Sequence, residues 1–195
     1  MSDQAYCPLC DAEAPAFVDD RRRHYYRCKR CRLVFVKEED FPSPVEERAV
    51  YDLHENSPDD AGYRKFLSRL CDPLVERLEP GSRGLDFGCG PGPALPVMFE
   101  ELGFPMERYD PYFAPDRSVL NRQYDFVTAT EVVEHFHKPQ EHWDQLWACV
   151  KPGGLLGIMT KLVIDRQAFS RWHYKDDETH VCFYSHQTLA WLSKR

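Results

Sequence analysis

Short apolar runs alternate with segments of helical spacing along the second half of the chain. Four runs rich in apolar and β-branched residues predict buried strands, namely RGLDFGCG, MERYDP, YDFVTAT and LLGIMT. Between them, PALPVMFEELG and HKPQEHWDQLWACVKPGG carry apolar residues at helical spacing and end at glycines, which predicts two helices. Strands that alternate with helices predict an α/β fold with a doubly wound, mostly parallel sheet. In such a fold, ligands lie at the carboxyl ends of the strands.

The pattern ahead of this region changes twice. From Asp60 onward, apolar residues recur at helical spacing until Pro80 and Gly81, and Pro73 is expected to kink or split this helix. The preceding stretch KEEDFPSPVEER is polar, contains two prolines and is interpreted as a linker. Nearer the N-terminus, HYYRC and RLVFV are short β-type runs. The sequence therefore predicts a head (residues 1–37), a linker and helical cap (38–80) and a main domain (81–195).

The head contains two Cys-x-x-Cys pairs, CPLC and CKRC, at a separation typical of a four-thiolate metal site. Each pair presents two sulfurs from one tight turn, and two such turns complete the tetrahedron that structural zinc prefers. The spacing thus predicts a zinc ribbon whose ligands are Cys7, Cys10, Cys28 and Cys31. A head this small buries little apolar surface, so the metal is expected to supply its folding energy. Disulfides are the alternative, and the other four cysteines are expected to be free thiols.

Composition and charge narrow the possible partners. Hydrophobic residues make up 43% of the chain, but no apolar run is long enough to span a membrane. The N-terminus lacks the pattern of a signal peptide, so a cytoplasmic protein is expected. Residues 1–37 hold eight Lys/Arg and five Asp/Glu, which gives a charge of +3. The rest of the chain holds 17 Lys/Arg and 27 Asp/Glu, which gives −10. The acidic main part disfavours nucleic acid, although residues 21–37 could contact an anionic partner or merely form a solvated basic surface.

The loop LDFGCGPG, residues 85–92, differs from a phosphate-binding loop. Its glycines stand at every second position, and two prolines remove N–H groups that an anion would need, which also disfavours NAD. With Asp86 ahead of the first glycine, a cationic ligand without phosphate fits better, and S-adenosylmethionine (SAM) is such a ligand. Asp110 comes at the end of the next predicted strand and is placed to meet the ribose hydroxyls. The alternative is that Asp110 only caps a turn before Pro111.

Residues 84–160 resemble a class I SAM-dependent methyltransferase, a family with a Rossmann-like sheet. The resemblance rests on LDFGCGPG, YDP, YDFVTATEVVEHF and VKPGGLLGIMT, in this order. It implies that Asp86 and the glycines Gly88, Gly90 and Gly92 frame the methionine part of SAM, and that Asp110 binds the ribose. It also implies that Tyr112 or Phe113 contacts the adenine and that Thr130 and Glu131 line the methyl-donor pocket. The connector is similar to the N-terminal cap of small-molecule methyltransferases. There Tyr51, His54 and Tyr63 could close over the cofactor, or could serve the core or the surface.

Two features depart from the family pattern. Only the short stretch from Pro111 to Gln123 separates the second predicted strand from the next one. This connection is too short for a helix–strand–helix unit, so the third strand of the family is expected to be reduced or absent. The chain also stops at TLAWLSKR, where the family continues into its last strands. We therefore expect a sheet that is clipped at its C-terminal edge, or a truncated chain.

The segment TEVVEHFHKP carries the candidate catalytic groups. If it opens a helix, Glu131, Glu134 and His135 share one face, with His135 as general base for an acceptor hydroxyl and Glu131 beside it. A helix-capping role for His135 is the alternative. The same trio resembles the E-x-x-E-H pattern of ubiquinone-biosynthesis O-methyltransferases and small-RNA 2′-O-methyltransferases, where a later histidine, here His180, completes a site for a second divalent metal. The simpler interpretation is that Glu131 faces SAM and Glu134 faces solvent.

These observations lead to three functional hypotheses. The first is transfer of a methyl group from SAM to a small molecule, at an oxygen or a carbon; a zinc ribbon also precedes this domain in the deoxysugar C-methyltransferases that the layout resembles. The second is methylation of ribosomal or transfer RNA, with the basic head as docking module. The third is a non-catalytic SAM-binding adaptor. The tail residues Trp172, His173, Tyr174 and His180 are expected to form a substrate wall or a plain aromatic core.

Overall fold

The computed structural model of the chain describes residues 4–53 and 57–194. Its strands are β1 (Gln4–Tyr6), β2 (Glu13–Asp19), β3 (His24–Arg27), β4 (Val34–Phe35), β5 (Gly84–Phe87), β6 (Met106–Tyr109), β7 (Tyr124–Thr130), β8 (Val150–Met159) and β9 (Cys182–Phe183). Its α-helices are α1 (Pro44–Tyr51), α2 (Ala61–Val75), α3 (Ala94–Glu101), α4 (Pro139–Ala148), α5 (Arg166–Ser170) and α6 (His186–Leu192). Short 3₁₀ turns add Glu38–Asp40, Arg117–Asn121, Val133–His135 and His173–Asp176.

The chain forms two compact units, each assembled from separate stretches. The first unit comprises the described residues of 1–45, 133–142 and 160–195, and the second comprises those of 46–132 and 143–159. The three segments predicted from the sequence are consecutive along the chain and stay a prediction. Among the described residues, no helix combines the length and the apolar character needed to cross a bilayer.

The second unit contains a parallel sheet of four strands in the order β6-β5-β7-β8. Strand β5 is central and buried along its whole length, because apolar side chains cover both faces of a parallel sheet. Helices α2 and α3 pack together in one apolar cluster with Phe126 of β7. The predicted parallel α/β sheet is therefore confirmed. Because its strands are parallel, the carboxyl ends of β5, β6 and β7 lie at one edge of the sheet.

Two expectations about the sheet edges agree with the structure. Between β6 and β7, the described chain makes an isolated bridge from Asp110 to Ala114 and one 3₁₀ turn, and it contains no strand of the parallel sheet. After β8, the chain does not extend the parallel sheet, since β9 pairs antiparallel with β4 instead. The missing third strand agrees with the short connection before β7. The end of the parallel sheet at β8 agrees with the clipped edge expected from the tail sequence.

The first unit contains an antiparallel sheet of five strands in the order β1-β2-β3-β4-β9. The last strand comes from the C-terminal tail, where Phe183 pairs with Val34 and Cys182 pairs with Phe35. Aromatic rings fill its core, with Phe169 in edge-to-face contact with Tyr25 at 5.1 Å and with Phe183 at 5.2 Å. The head therefore gains apolar burial from a distant part of the chain, which its own sequence did not indicate.

Two local expectations about the connector need correction. The stretch interpreted as a linker contains a 3₁₀ turn and α1, which begins at Pro44, a residue suited to the first helical position. Helix α2 is not split at Pro73 but continues to Val75, and a kink at Pro73 stays a prediction. Because only two residues follow Pro73, the hydrogen bond that proline removes falls in the final turn. At its start, Asp60 accepts a hydrogen bond from the Tyr63 amide at 2.8 Å.

Candidate functional site

The four cysteines of the head converge on one point. All four sulfur atoms lie within 4.8 Å of one another, with Cys7 and Cys31 3.5 Å apart and Cys10 and Cys28 3.4 Å apart. All four are free thiols, so the disulfide alternative does not apply to this structure. Tetrahedral zinc with bonds of about 2.3 Å places its sulfur ligands about 3.8 Å apart, close to these separations. The amides of Arg30 and Cys31 each donate to the Cys28 sulfur at 3.3 Å, which suits a thiolate.

The glycine loop leaves β5 at a position where only glycine fits. Gly88 has φ +79°, and a Cβ added there would lie 2.5 Å from Cγ2 of Val132. Ahead of the loop, Asp86 is fully buried in the middle of the sheet and accepts a hydrogen bond from the Thr128 hydroxyl at 2.7 Å. Burial raises the pKa of Asp86 to about 6. The loop thus follows a carboxylate that is shielded from bulk water.

Asp110, at the end of β6, serves the loop and a turn together. Its Oδ2 accepts a hydrogen bond from the Gly90 amide at 3.0 Å, and Gly90 has φ +64°. Its Oδ1 accepts from the amides of Tyr112 and Phe113, at 2.8 and 3.1 Å. The turn-capping role considered from the sequence therefore exists, but it uses one oxygen. The bond to the glycine loop was not foreseen, because it joins residues 20 apart in the chain.

Helix α1 contacts Tyr112 and Phe113, the residues predicted to meet the adenine. Glu47 is buried and accepts hydrogen bonds from the hydroxyls of Tyr51 and Tyr112, each at 2.9 Å. Burial and the adjacent Glu47 raise the pKa of Tyr112 to about 12. The Arg48 guanidinium lies 4.8 Å from the centre of the Phe113 ring. Sequence reasoning missed Glu47, and its four-residue spacing from Tyr51 on a helix was the available signal.

Tyr63 of the predicted cap shares its electrostatic environment with Asp86 and Glu131. Burial raises its pKa to about 12, and the charges of Asp86 and Glu131 add to this effect. The hydroxyl therefore stays protonated and can donate a hydrogen bond near both carboxylates. The predicted cap residue His54 lies outside the described residues.

The helix expected to open at Glu131 does not form there. Glu131 has φ +52°, a left-handed conformation that interrupts helical geometry, and its amide donates to the Met159 carbonyl at 2.8 Å. Only a single 3₁₀ turn, Val133–His135, follows. The prediction that Glu131, Glu134 and His135 share one helical face is therefore wrong. Thr130 is the half-buried last residue of β7 and pairs with Met159 in β8.

A second group of metal-ligating side chains lies in the first unit. One donor atom each of Glu134, His135 and His180 lies within 4.8 Å of the others. Glu131 as a further ligand stays a prediction. Glu134 is fully buried, so the interpretation that it faces solvent is wrong. The hydroxyl of Tyr174 donates to its carboxylate. We call these three residues the Glu–His–His cluster.

Both imidazoles of this cluster are oriented by backbone carbonyls. The Nδ1 atom of His135 lies 3.1 Å from the Thr179 oxygen, and that of His180 lies 2.6 Å from the Tyr174 oxygen. A carbonyl only accepts, so each Nδ1 carries the hydrogen, and in the neutral form of such a ring Nε2 keeps its lone pair. Burial lowers the pKa of His180, which favours the neutral ring. A carboxylate and two imidazoles form a donor set that suits a divalent transition metal.

The predicted aromatic tail residues separate into two kinds. Tyr174 is buried, with its ring 4.9 Å from Trp172 and 4.2 Å from His180, whereas His173 is exposed. Tyr174 and His180 thus contribute to the cluster and its packing. A substrate wall made by these residues stays a prediction.

Comparison with known proteins identifies the family. A family model described as a methyltransferase domain matches residues 61–195, and no curated protein matches the chain. One similar solved structure is that of a SAM-dependent methyltransferase from Thermotoga maritima, described as a possible histamine N-methyltransferase, with 17% identity, 76% of both chains covered and a TM-score of 0.41. A second is coclaurine N-methyltransferase bound to N-methylheliamine and SAH, with 14% identity, 78% of this chain and 57% of that chain covered and a TM-score of 0.46. A third is a protein from Pyrococcus horikoshii OT3, with 14% identity, 75% of this chain and 88% of that chain covered and a TM-score of 0.48. All three TM-scores are below 0.5, so the assignment rests on the domain match. Because that match covers more than half of the chain, the protein belongs to the family of methyltransferase domains, which supports SAM as its methyl donor.

Proposed function

We propose that the protein transfers the methyl group of SAM to a hydroxyl group of a small molecule. The observation that carries the cofactor assignment is the pair of buried carboxylates, Asp86 and Asp110, on neighbouring parallel strands around the glycine loop. Two carboxylates favour a ligand with cationic groups, such as the sulfonium and ammonium of SAM, over a phosphate. The glycines let the ligand approach the backbone closely.

The ribose of SAM is proposed to bind at Asp110. A carboxylate has about four lone-pair sites, and the three amides that donate to Asp110 leave one for a ribose hydroxyl. Tyr112 and Phe113 follow directly and are proposed to contact the adenine, while Thr130, Glu131 and Tyr63 are proposed to line the methyl-donor part. The expected catalytic advantage is positioning of the reacting atoms, because the sulfonium is already a good leaving group.

Isothermal titration with SAM and with its demethylated product, S-adenosylhomocysteine, tests the cofactor site. We expect micromolar binding of both ligands by the zinc-loaded protein. Asp110→Ala should weaken both by at least about tenfold, since it removes a charged hydrogen-bond acceptor. Asp116→Ala is the matched control, because Asp116 caps the next turn through the Ser118 amide but lies outside the loop. Absence of heat with either ligand would contradict the proposal, as would equal affinities of the two variants.

The Glu–His–His cluster is proposed to hold a divalent metal ion. Its two Nε2 lone pairs and the Glu134 carboxylate fit such an ion, which when bound would lower the pKa of an acceptor hydroxyl. The same Nε2 atom of His135 could instead accept the proton of that hydroxyl directly, as a general base. The convergence of three donor atoms favours the metal.

Titration of the zinc-loaded protein with Mn²⁺, followed by electron paramagnetic resonance, tests this cluster. We expect one bound ion beyond the zinc, and a loss of affinity of at least about tenfold in His135→Ala. His137→Ala is the control, since the His137 ring stacks on Phe41 at 4.4 Å and is not part of the cluster. Wild-type Mn²⁺ affinity in His135→Ala would rule out the metal and leave the general base.

The RNA alternative receives little support from the basic head. Six of its eight basic side chains contact other protein groups, either as ion pairs, as donors to carbonyls or over aromatic rings: Arg22, Arg23, Arg27, Lys29, Arg30 and Lys37. Such side chains are less available to phosphates. A non-catalytic adaptor would bind SAM without methylating any acceptor.

A further inference from the structure

The loop that carries His180 also orients both imidazoles of the Glu–His–His cluster. We call residues 174–180 the histidine loop. The first carbonyl of the loop, that of Tyr174, accepts the hydrogen bond from His180 Nδ1, and the carbonyl of Thr179 accepts the one from His135 Nδ1. The loop therefore carries His180, one ligand of the cluster, and its carbonyls set the tautomers of both His135 and His180. A shift of its backbone would change the position of His180 and both tautomers together.

A single buried guanidinium binds most of the remaining carbonyls of this loop. Nη1 of Arg23 donates to the carbonyls of Glu178 and His180, both at 3.0 Å. Nη2 donates to the carbonyl of Asp177 at 3.0 Å and to that of Lys175. Arg23 is only 6% exposed, so these bonds are shielded from water. A planar fork with several fixed donors is the group that can hold four carbonyls together.

Arg23 is itself fixed by the turn between β2 and β3. The Oδ1 atom of Asp20 accepts hydrogen bonds from the amides of Arg22 and Arg23, at 2.8 and 2.9 Å. Its Oδ2 accepts from the ammonium of Lys175 at 2.6 Å, which ties the turn to the start of the histidine loop. Strand β3 then leads directly to Cys28 of the cysteine cluster. The hairpin thus links the cysteine cluster to the histidine loop through hydrogen bonds of the first unit.

We propose that Arg23 is a positioning residue for the Glu–His–His cluster. Its guanidinium fixes the histidine loop, and the loop in turn fixes the Nδ1–H tautomers and the position of His180. The cysteine-containing head is then the scaffold of this cluster. The inference rests on the proposed function, because the proposed binding of a divalent metal by the cluster needs the Nε2 lone pairs of both histidines.

Nitrogen-15 imidazole spectra of the full-length, zinc-loaded protein, at a pH above the ordinary histidine pKa, test this role. The wild type should show Nδ1–H tautomers for His135 and His180. Arg23→Lys keeps the charge but loses the fork, and we expect at least half of the His180 population to change to the Nε2–H form. Arg21→Lys, in the same turn, should leave both tautomers unchanged. Mn²⁺ affinity should fall about tenfold in Arg23→Lys and stay constant in Arg21→Lys.

Zinc content and the melting transition show whether each variant is folded. Wild-type tautomers in folded Arg23→Lys would overturn the proposal, as would Nε2–H histidines in the wild type. If Arg23→Lys does not fold, Asp20→Ala removes the acceptor of both turn amides and of the Lys175 ammonium and keeps the guanidinium; a tautomer change there supports the proposal and unchanged spectra overturn it. Wild-type protein that lacks Mn²⁺ and SAM binding but shows Nδ1–H histidines would refute the proposed function and leave the positioning role of Arg23 intact.

Discussion

Replacement of Cys28 by serine is expected to abolish zinc binding and to unfold the antiparallel sheet of the first unit. The Cys28 sulfur is fully buried, and it lies 3.4 Å from the Cys10 sulfur in the group of four. A serine hydroxyl is a poor substitute for a thiolate ligand, and structural zinc contributes about 10 kcal/mol or more to small domains. We expect the free energy of unfolding of this unit to fall by more than about 3 kcal/mol. Zinc analysis and chemical denaturation, each with and without a chelator, provide the measurement.

Cys71→Ser is the matched control for this experiment. Cys71 is similarly buried, but it lies in α2 within the apolar cluster of the second unit. Its replacement should lower stability by a smaller amount and leave the zinc content unchanged. Full zinc occupancy in Cys28→Ser, or a wild-type denaturation curve in the presence of the chelator, would refute the zinc assignment. Hydrogen exchange in β2 and β3 would then show what else stabilises the sheet.

Gly88→Ala is expected to lower the free energy of unfolding by about 2–6 kcal/mol and to eliminate SAM binding. Two costs add at this position. A non-glycine residue at φ +79° costs about 1–3 kcal/mol. The new Cβ would also lie 2.5 Å from Cγ2 of Val132, and such overpacking costs about 1–3 kcal/mol. Urea denaturation measures the first effect, and isothermal titration with SAM measures the second.

Gly90→Ala separates the two costs. Gly90 also has a positive φ, +64°, but a Cβ there meets nothing within 4 Å, so only the backbone cost of about 1–3 kcal/mol applies. Adding Val132→Ala to Gly88→Ala should recover the overpacking part, which appears as a coupling of about 1–3 kcal/mol in a double-mutant cycle. Equal losses in Gly88→Ala and Gly90→Ala, with no coupling to Val132, would show that the contact with Val132 is unimportant.

Local patterns were sufficient for several parts of this structure. The alternation of apolar runs and helical segments predicts β5, β6, β7 and β8 in a parallel sheet, because strand and helix periodicities are properties of neighbouring residues. The two Cys-x-x-Cys pairs likewise predict the convergence of four sulfurs. The short connection before β7 predicts the missing third strand, since a chain of that length cannot form a helix and a strand as well.

Other parts depend on residues that are far apart in the sequence. The left-handed backbone of Glu131 is stabilised by a bond to Met159 in another strand, and this bond removes the helix that spacing alone suggests. Glu47 becomes part of the candidate cofactor site through Tyr112, which lies in a distant part of the chain. The pairing of β9 with β4 joins the tail to the head, although neither segment contains a signal for the other.

The sequence by itself determined the α/β class, the glycine loop with its two acidic residues and the cysteine cluster, because each is encoded within a short stretch or by a spacing. Only the tertiary structure decided which candidate residues meet. It placed Glu134, His135 and His180 together and brought Arg23 to the histidine loop. These contacts arise from hydrogen bonds between segments that are distant in the sequence. Their energy depends on how the whole unit packs and therefore has no local pattern in the chain.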